Sequence, residues 1–246
     1  SLSAAGDKRL ESARKNLIRM VTHELRTPLV SIDMVQDVIS RRGDQLTQSQ
    51  LDEYLDILRS GTKRLKHVIE QMVFITQLES DALSSDAIYA EGFEYQIWEI
   101  LTSAVNLGRG FAYRNRDLPI NVDARDRDVV VLCFMDAMRH AFAELISNAL
   151  NFSPEDSAVV ISQWESDDTV WINIQDSGPG IPQEHIELVQ QDYHQANRES
   201  QEQQGMGLGL SLARRLIEAH GGELELSSIE GKGTQILVKL PTLDVS

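Results

Sequence analysis

The sequence contains a single cysteine, Cys133, among its 246 residues. One cysteine excludes an internal disulfide and a zinc site built from cysteines. Because Cys133 lies in the apolar run VVVLCF, we expect a small buried hydrophobic residue there and not a reactive thiol. The sequence also lacks any run of about 18 apolar residues and begins without the apolar core of a signal peptide, so it predicts no transmembrane helix. We therefore expect a cytoplasmic chain with no direct membrane contact, although the whole protein can be membrane-attached through segments outside these residues.

Basic residues are scarce, since 23 Lys and Arg stand against 38 Asp and Glu, a formal net charge of −15. Such a chain is unsuited to nucleic acid as its main partner, and we expect no nucleic-acid binding. The charge is also uneven: residues 1–80 hold 12 basic and 11 acidic residues, whereas residues 81–246 hold 11 and 27. We interpret this difference as two domains, 1–80 and 91–246, joined by a polar linker over 81–90.

The first domain has the pattern of two long helices joined by a turn. Pro28 should bend the first helix, Gly43 should end it, and Thr47 or Ser49 should cap the second. The second helix carries a heptad seam made of Leu51, Leu55, Leu58, Thr62, Leu65, Ile69, Met72 and Thr76. Because a two-helix hairpin cannot bury such a seam alone, we predict a homodimer that forms a four-helix bundle. Packing of the seam against the rest of the same chain is the alternative.

The second domain changes to an α+β pattern. Apolar runs predict strands at 129–134, 158–164, 169–175, 223–228 and 235–240. Helical periodicity predicts helices at 94–107, 135–151 and 208–220, the last ended by Gly221 and Gly222. The predicted fold is therefore an α helical hairpin followed by an α+β two-layer sandwich.

His23 and Glu24 are adjacent on the first helix. An imidazole nitrogen can act as a nucleophile, and a neighbouring carboxylate can take up the proton released during the attack. When the pair is considered alone, an exposed histidine that performs no chemistry is the better explanation.

Glu144 and Asn148 lie four residues apart, and so on one face of the predicted helix 135–151. A carboxylate and an amide oxygen so placed can hold Mg²⁺ beside phosphates. The alternative is a polar stripe on a solvated helix.

Three glycine-containing motifs follow in the second domain. DSGPGI (176–181) comes directly after a strand, where Asp176 can accept a hydrogen bond from an exocyclic amine and the glycines allow close approach to a flat ring. GMGLGL (205–210) opens a helix, whose N-terminus favours phosphate, although a plain turn explains this motif alone. EGKGT (230–234) is most simply a hairpin turn.

Taken in order, these motifs resemble the kinase core of bacterial sensor histidine kinases of the HisKA type. THELRTPL resembles the H box, ELISNALNFSP the N box, DSGPGIP and GMGLGLSLARRLIEAHGG the two glycine boxes, and EGKGT the last motif. The resemblance covers residues 10–240, which is nearly all of the chain. It implies a dimerisation and phosphotransfer hairpin joined to an ATPase domain of the gyrase, chaperone and MutL type.

The resemblance also implies the reaction and its residues. The γ-phosphate of ATP passes to His23 and then to an aspartate on a response-regulator receiver domain, with Glu24 as proton acceptor and Thr27 orienting water for dephosphorylation of the regulator. The implied cofactors are ATP and Mg²⁺, with Asn148 and Glu144 as metal ligands. The residues expected around the nucleotide are Glu144, Asn148, Asn151, Asp176, Gly178, Gly180, Ile181, Arg198, Gly205, Gly207, Leu208, Gly209, Leu210 and Thr234.

The sequence departs from the family pattern at several positions. Glu144 replaces the first N-box asparagine, as in hydrolysing relatives in which that acid activates water. Asn151 replaces a lysine that contacts phosphate, and Arg198 is the cation expected to substitute for it. Aromatic residues are also sparse between the glycine boxes. Two alternatives follow: a degenerate kinase that serves as a nucleotide-binding or phosphatase module, and an ATPase of the gyrase or chaperone type.

Overall fold

The structure is a computed structural model that describes residues 2–115, 117–190 and 208–243. The chain divides into two compact units, Ser1–Val73 and Phe74–Ser246. The division therefore falls earlier than the predicted end of the first domain at residue 80.

The first unit is built on a helical hairpin. Helix α1 (Leu2–Arg42) runs through Pro28 without interruption, and a 3-10 turn (Gly43–Gln45) separates it from α2 (Gln48–Glu79). Thr47 caps α2, because the Gln50 N–H donates to Thr47 Oγ1 at 3.3 Å and the Thr47 N–H donates to Gln50 Oε1 at 3.0 Å. The predicted hairpin is confirmed, and Thr47 is its cap.

The predicted linker over 81–90 needs correction, because it contains most of a short helix, α3 (Ser85–Glu91). Ser84 begins this helix by accepting a hydrogen bond from the Ala87 N–H at 3.3 Å. Leu83 and Ile88 are both buried. Two buried apolar side chains thus anchor a segment whose other residues have the polar composition of a linker.

The predicted helix over 94–107 begins three residues later than expected, because a strand precedes it. Strand β1 (Phe93–Gln96) pairs antiparallel with β3 (Val130–Cys133), and α4 spans Ile97–Phe111. The pairing partner is distant in sequence, so the local pattern cannot reveal this strand.

The main sheet has five strands in the order β2-β4-β5-β7-β6. They are β2 (Ile120–Ala124), β4 (Val159–Ser166), β5 (Thr169–Gln175), β6 (Glu223–Ile229) and β7 (Gly233–Pro241). Strand β2, which the sequence analysis missed, is parallel to β4, and the other pairs are antiparallel. Asp167 and Asp168 form the tight β4–β5 turn with φ values of +52° and +54°.

Helices α4, α5 (Met135–Phe152) and α7 (Leu208–Ala219) form the second layer, and α6 (Gln183–Gln190) follows the loop after β5. Alternate residues of the central strands, such as Ile161, Ile172 and Val238, are fully buried. The predicted two-layer α+β sandwich is confirmed. Cys133 is buried as expected, and burial raises the pKa of its thiol to about 12. Among the described helices, none combines the length and the apolar character that crossing a bilayer requires.

Candidate active site

His23 and Glu24 present their side chains differently on α1. The His23 side chain is 59% exposed, whereas that of Glu24 is only 12% exposed. Glu24 Oε1 lies 3.7 Å from His23 Nδ1. One nitrogen of the ring therefore faces a carboxylate while the ring itself stays accessible, which is the arrangement that a nucleophile with an adjacent base needs.

The other oxygen of Glu24 faces α2, where Arg64 Nη2 donates to Glu24 Oε2 at 2.7 Å. Thr27 follows His23 by one turn, and its hydroxyl donates to the His23 carbonyl oxygen at 3.3 Å. The hairpin thus places an accessible imidazole, a carboxylate and a hydroxyl within two turns of one helix.

A cavity in the second unit lies between α5, the loop after β5 and the β6–β7 hairpin. It brings together six of the residues that were predicted to surround a nucleotide: Asn148, Asp176, Gly180, Ile181, Leu210 and Thr234. Apolar side chains that were not predicted, among them Leu145, Phe152 and Ile236, complete its wall. A mostly apolar cleft with a few polar groups suits a flat heterocycle.

Asp176 is the buried acid of this cavity. Its Oδ1 accepts hydrogen bonds from the Gly178 N–H at 2.8 Å and the Thr234 N–H at 3.1 Å. Since both of these bonds from described residues go to Oδ1, Oδ2 is left for a donor in the cavity. Burial raises the pKa of Asp176, and the two N–H groups oppose that shift.

Two glycines bring the loop after β5 close to its neighbours. Gly180 has a φ of +70°, and a Cβ there would collide with the Ile229 carbonyl group. A Cβ on Gly178 would lie 2.7 Å from the Phe152 carbonyl oxygen. The loop can therefore approach the end of α5 at Gly178 and the end of β6 at Gly180 only without side chains at these positions. The predicted turn at 230–234 joins β6 to β7 and carries Thr234 into the same cavity.

The two predicted metal ligands are separated by the structure. Asn148 lines the cavity and is half-buried, whereas Glu144 is buried and is not among the described residues of the cavity wall. Glu144 Oε1 lies 3.0 Å from His140 Nε2, and a Cβ on Gly209 would lie 2.5 Å from Glu144 Oε2. Glu144 therefore lies against α7 and not on the described cavity wall, and its role as a metal ligand stays a prediction.

The side chain of Asn151 binds backbone groups of the segment after α4. Its Oδ1 accepts hydrogen bonds from the N–H groups of Tyr113 and Arg114 at 3.0 and 3.1 Å, and its Nδ2 donates to Ser147 Oγ at 3.4 Å. The amide is buried, and its oxygen holds the segment after α4. Asn151 is not among the described residues of the cavity wall, and its contact with the nucleotide stays a prediction.

Five other residues were also predicted to surround the nucleotide: Arg198, Gly205, Gly207, Leu208 and Gly209. Leu208 and Gly209 are buried in the first turn of α7, so they support the cavity and do not line it among the described residues. Arg198, Gly205 and Gly207 lie outside the described residues.

Comparison with known proteins agrees with this geometry. Residues 13–81 match the His Kinase A (phospho-acceptor) domain, and residues 133–244 match the histidine kinase-, DNA gyrase B- and HSP90-like ATPase family. The chain belongs to the sensor histidine kinases. It is 31% identical over 247 residues to histidine protein kinase DivJ of Caulobacter vibrioides and 26% identical over 248 residues to sensor histidine kinase WalK of Bacillus subtilis. Each alignment covers 95% of this chain and 38% of the relative, so the chain spans about two fifths of their length.

Solved structures share the fold. The Acinetobacter baumannii histidine kinase AdeS matches with a TM-score of 0.63 and 19% identity, over 90% of this chain and 98% of that one. Full-length ShkA in complex with AMPPNP matches with a TM-score of 0.60 and 20% identity, over 93% of this chain and 46% of that one. The predicted kinase fold is therefore confirmed.

Two groups of residues at the candidate site were not predicted from the sequence. The apolar wall of the cavity includes residues to which the sequence assigned no role at the site, such as Phe152 and Leu226. Arg64 contacts Glu24 from a position 40 residues further along the chain. Only the heptad pattern carried a signal for Arg64, because it predicts that α1 and α2 pack side by side.

Proposed function

We propose that this kinase core transfers the γ-phosphoryl group of ATP to His23 and then to an aspartate of a response-regulator receiver domain. The observation that carries the proposal is the accessible His23 ring, whose Nδ1 faces Glu24 Oε1 at 3.7 Å. The presence of a phospho-acceptor domain and an ATPase domain in one chain supports the same conclusion.

The cavity around Asp176 is the proposed nucleotide site. Asp176 Oδ2 would accept a hydrogen bond from the exocyclic amine of adenine, while apolar side chains such as Ile181 and Leu210 would contact the faces of the ring. A guanine ring carries a carbonyl oxygen where adenine carries its amine, so it would oppose the carboxyl oxygen. This arrangement therefore favours ATP over GTP.

Asn148 is the residue that would hold Mg²⁺. Its side-chain amide offers an oxygen on the cavity wall, which suits a hard cation that keeps most of its water ligands. The ion neutralises charge on the phosphates, which matters in a domain with 27 acidic and 11 basic residues over 81–246.

In the proposed transfer, the neutral His23 ring carries its proton on Nδ1, which faces Glu24. The lone pair of Nε2 attacks the γ-phosphorus. An N–P bond forms as the bond between that phosphorus and the bridging oxygen of ADP breaks. The Nδ1 proton then passes to Glu24 Oε1, so the phosphorylated ring is neutral.

We propose a homodimer, formed through the hairpin, as the working unit. The predicted seam is not buried within the described chain, because Leu55 and Ile69 are exposed. A second copy of the hairpin would cover these side chains in a four-helix bundle.

The proposed receiver-domain contact lies on α1 beyond His23. Leu29, Val30 and Met34 are exposed there, within three turns of the phospho-acceptor. An exposed apolar strip next to a reactive side chain is typical of a transient interface that delivers a partner's reactive group.

Dephosphorylation of the regulator is a second proposed activity, supported by the hydroxyl of Thr27 on the turn after His23. A hydroxyl so placed can orient water towards a phospho-aspartate. Thr27→Ala should therefore keep autophosphorylation and lose dephosphorylation, and Thr27→Ser should keep both. Equal losses in Thr27→Ala would show that Thr27 only packs the helix.

The decisive experiment incubates the chain with γ-labelled ATP and Mg²⁺. Label should appear on the wild type, survive alkali, be lost in acid as a phosphoramidate is, and be absent from His23→Gln. His67→Gln, the other hairpin histidine, is the control and should label normally. Acid-stable label, or label that persists in His23→Gln, would contradict the proposal. Phosphate release that does not depend on His23 would instead indicate an ATPase of the gyrase or chaperone type.

A further inference from the structure

Glu24 lies between two positively polarised partners that come from different helices. Its Oε1 is 3.7 Å from His23 Nδ1, and its Oε2 accepts a hydrogen bond from Arg64 Nη2 at 2.7 Å. His23 and Glu24 are neighbours on α1, whereas Arg64 belongs to α2. The three side chains form a continuous chain of groups from the solvent-exposed ring into the hairpin.

The contact with Arg64 is unlike the other ion pairs of the hairpin. The Glu24 and Arg64 side chains are 12% and 22% exposed, whereas those of Arg59 and Asp56 are 71% and 74% exposed. A charge-assisted bond of 2.7 Å between shielded groups restricts both side chains, while an exposed pair is screened and contributes little. Glu24 is therefore held in one orientation by Arg64.

Close approach of the helices makes this contact possible. A Cβ on Gly61 would lie 2.9 Å from Ile32 Cγ1 and 3.4 Å from the Pro28 carbonyl oxygen. Pro28 follows Glu24 by one turn, and Gly61 precedes Arg64 by about one turn, so the crossing point brings the two charged residues opposite each other.

We propose that Arg64 is a positioning residue for the transfer of the phosphoryl group to His23. By binding Oε2, Arg64 directs Oε1 to His23 Nδ1, which keeps the ring proton on Nδ1 and leaves the Nε2 lone pair available for attack. This inference rests on the proposed kinase function, and Arg64 acts on the reaction only through Glu24.

The first test compares three variants in the dimeric chain with labelled ATP and Mg²⁺. Arg64→Gln should lower the initial rate of His23 labelling about tenfold, a part of the roughly 100-fold or larger contribution of a positioned base. The KM for ATP should not change, because the cavity is untouched. Arg64→Lys should label His23 at an intermediate rate, because lysine keeps the positive charge but lacks the planar guanidinium group. Arg59→Gln is the matched control and should label like the wild type.

The coupling between Glu24 and Arg64 distinguishes a positioning role of Arg64 from a role in packing alone. Glu24→Gln alone and Glu24→Gln with Arg64→Gln should label at rates equal within about twofold, because Arg64 has no carboxylate left to orient. A full additional loss in the double variant would overturn the proposal, and so would an Arg64→Gln rate within about twofold of the wild type.

A spectroscopic measurement tests the same inference without turnover. The ¹⁵N shifts of the His23 ring should show the neutral proton on Nδ1 in the wild type and shared between both nitrogens in Arg64→Gln. Circular dichroism and sedimentation would verify that Arg64→Gln is folded and dimeric. If it is not, Arg64→Lys replaces it in the measurement of the His23 tautomer. An unchanged Nδ1 tautomer would overturn the proposal. Absence of label on wild-type His23 would instead refute the proposed function, while the ring tautomer would still decide the role of Arg64.

Discussion

Asp176 uses its two carboxyl oxygens for different tasks. Oδ1 holds the backbone through the N–H groups of Gly178 and Thr234, and Oδ2 is the oxygen that we propose for the ligand. An asparagine can keep the first task, because its amide oxygen accepts the same two hydrogen bonds. It cannot perform the second, because its NH₂ group would face the amine of adenine, donor against donor.

We therefore predict that Asp176→Asn folds normally and binds ADP roughly 10- to 100-fold more weakly, as expected for about 1–3 kcal/mol from an unpaired buried donor. Burial raises the pKa of Asp176, so its ionised form destabilises the fold at pH values above that pKa. The melting temperature of Asp176→Asn at pH 7 should thus equal or exceed that of the wild type.

Isothermal titration with ADP and thermal unfolding check this prediction. Asp123→Asn, at an exposed position of β2, is the control and should bind normally. Unchanged affinity in Asp176→Asn would mean that the nucleotide does not contact this carboxyl.

His220 joins the end of α7 to the start of α5. Its Nδ1 donates to the Leu216 carbonyl oxygen at 2.6 Å, and its Nε2 accepts the Phe134 N–H at 3.2 Å. Both nitrogens are used by the neutral ring, and burial lowers the pKa of His220 below its ordinary value of 6.5. Protonation would place a second donor against the Phe134 N–H.

The stability of the fold depends on pH because the folded and unfolded chains bind protons at His220 with different affinities. Below pH 6.5 the unfolded chain binds a proton at His220 that the folded chain does not, so stability is lost as the pH falls from 6.5 towards the lower folded pKa. We predict that His220→Gln is less stable at pH 7.5 but shows a smaller loss between pH 7.5 and 5.5 than the wild type. Urea unfolding at both pH values measures this difference. His23→Gln, an exposed site, should keep the wild-type slope, and an unchanged slope in His220→Gln would contradict the prediction.

At the scale of elements, a buried carboxylate of α5 packs against the first turn of α7. The Glu144 carboxylate lies between His140 on α5 and the first turn of α7, where Gly209 leaves room for it. The Glu144 carboxylate therefore packs between the two helices and is not among the described residues that line the cavity with Asn148.

A methyl group at Gly209 should therefore disturb α7. Its Cβ would lie 2.5 Å from Glu144 Oε2 and 3.2 Å from Cδ, in a place where the carboxylate has little room to move. We predict that Gly209→Ala lowers the free energy of unfolding by about 1–3 kcal/mol, the usual cost of overpacking, and weakens ADP binding.

Gly110→Ala offers a matched control for this substitution. Gly110 lies in α4, and a Cβ there would meet no atom within 4 Å. This control should be neutral or more stable by up to about 1 kcal/mol, because alanine favours the helix. Urea unfolding compares the free energies of unfolding of the two variants. Equal effects would show that the Glu144 carboxylate can move aside at little cost.

At the scale of the whole molecule, the hairpin exposes a seam that a second chain would cover. Ile69, which is 57% exposed, is the most exposed of the apolar seam residues. Burying such a side chain contributes about 1.5–3 kcal/mol, and a homodimer buries two copies.

We predict that Ile69→Glu shifts the protein from dimer to monomer at micromolar concentration, because a charge replaces an apolar contact on both chains. Sedimentation velocity measures the change. Ser60→Glu adds the same charge off the seam and should stay dimeric. Persistence of the dimer in Ile69→Glu would place the interface on another surface.

Patterns that are local in sequence predicted much of the molecule. The heptad seam predicted the hairpin, and alternating apolar runs predicted five strands of the second unit, among them Thr169–Gln175 with the same bounds. The order of the motifs indicated the kinase family, and His23, Asn148 and Asp176 lie on the hairpin face and cavity wall where those motifs placed them. Periodicity and motif spacing suffice here because each depends on residues that are close along the chain.

Only the tertiary structure decided which polar groups face a ligand and which face each other. Asn151 and Glu144 stand within the same motif as Asn148, yet one holds backbone groups 37 and 38 residues away and the other lies against α7. Strand β1 and the Arg64–Glu24 contact likewise depend on partners distant in sequence. A side chain bonds to whatever packing brings within about 3 Å, and that distance is set by the crossing of helices and the pairing of strands, which no spacing in the sequence records.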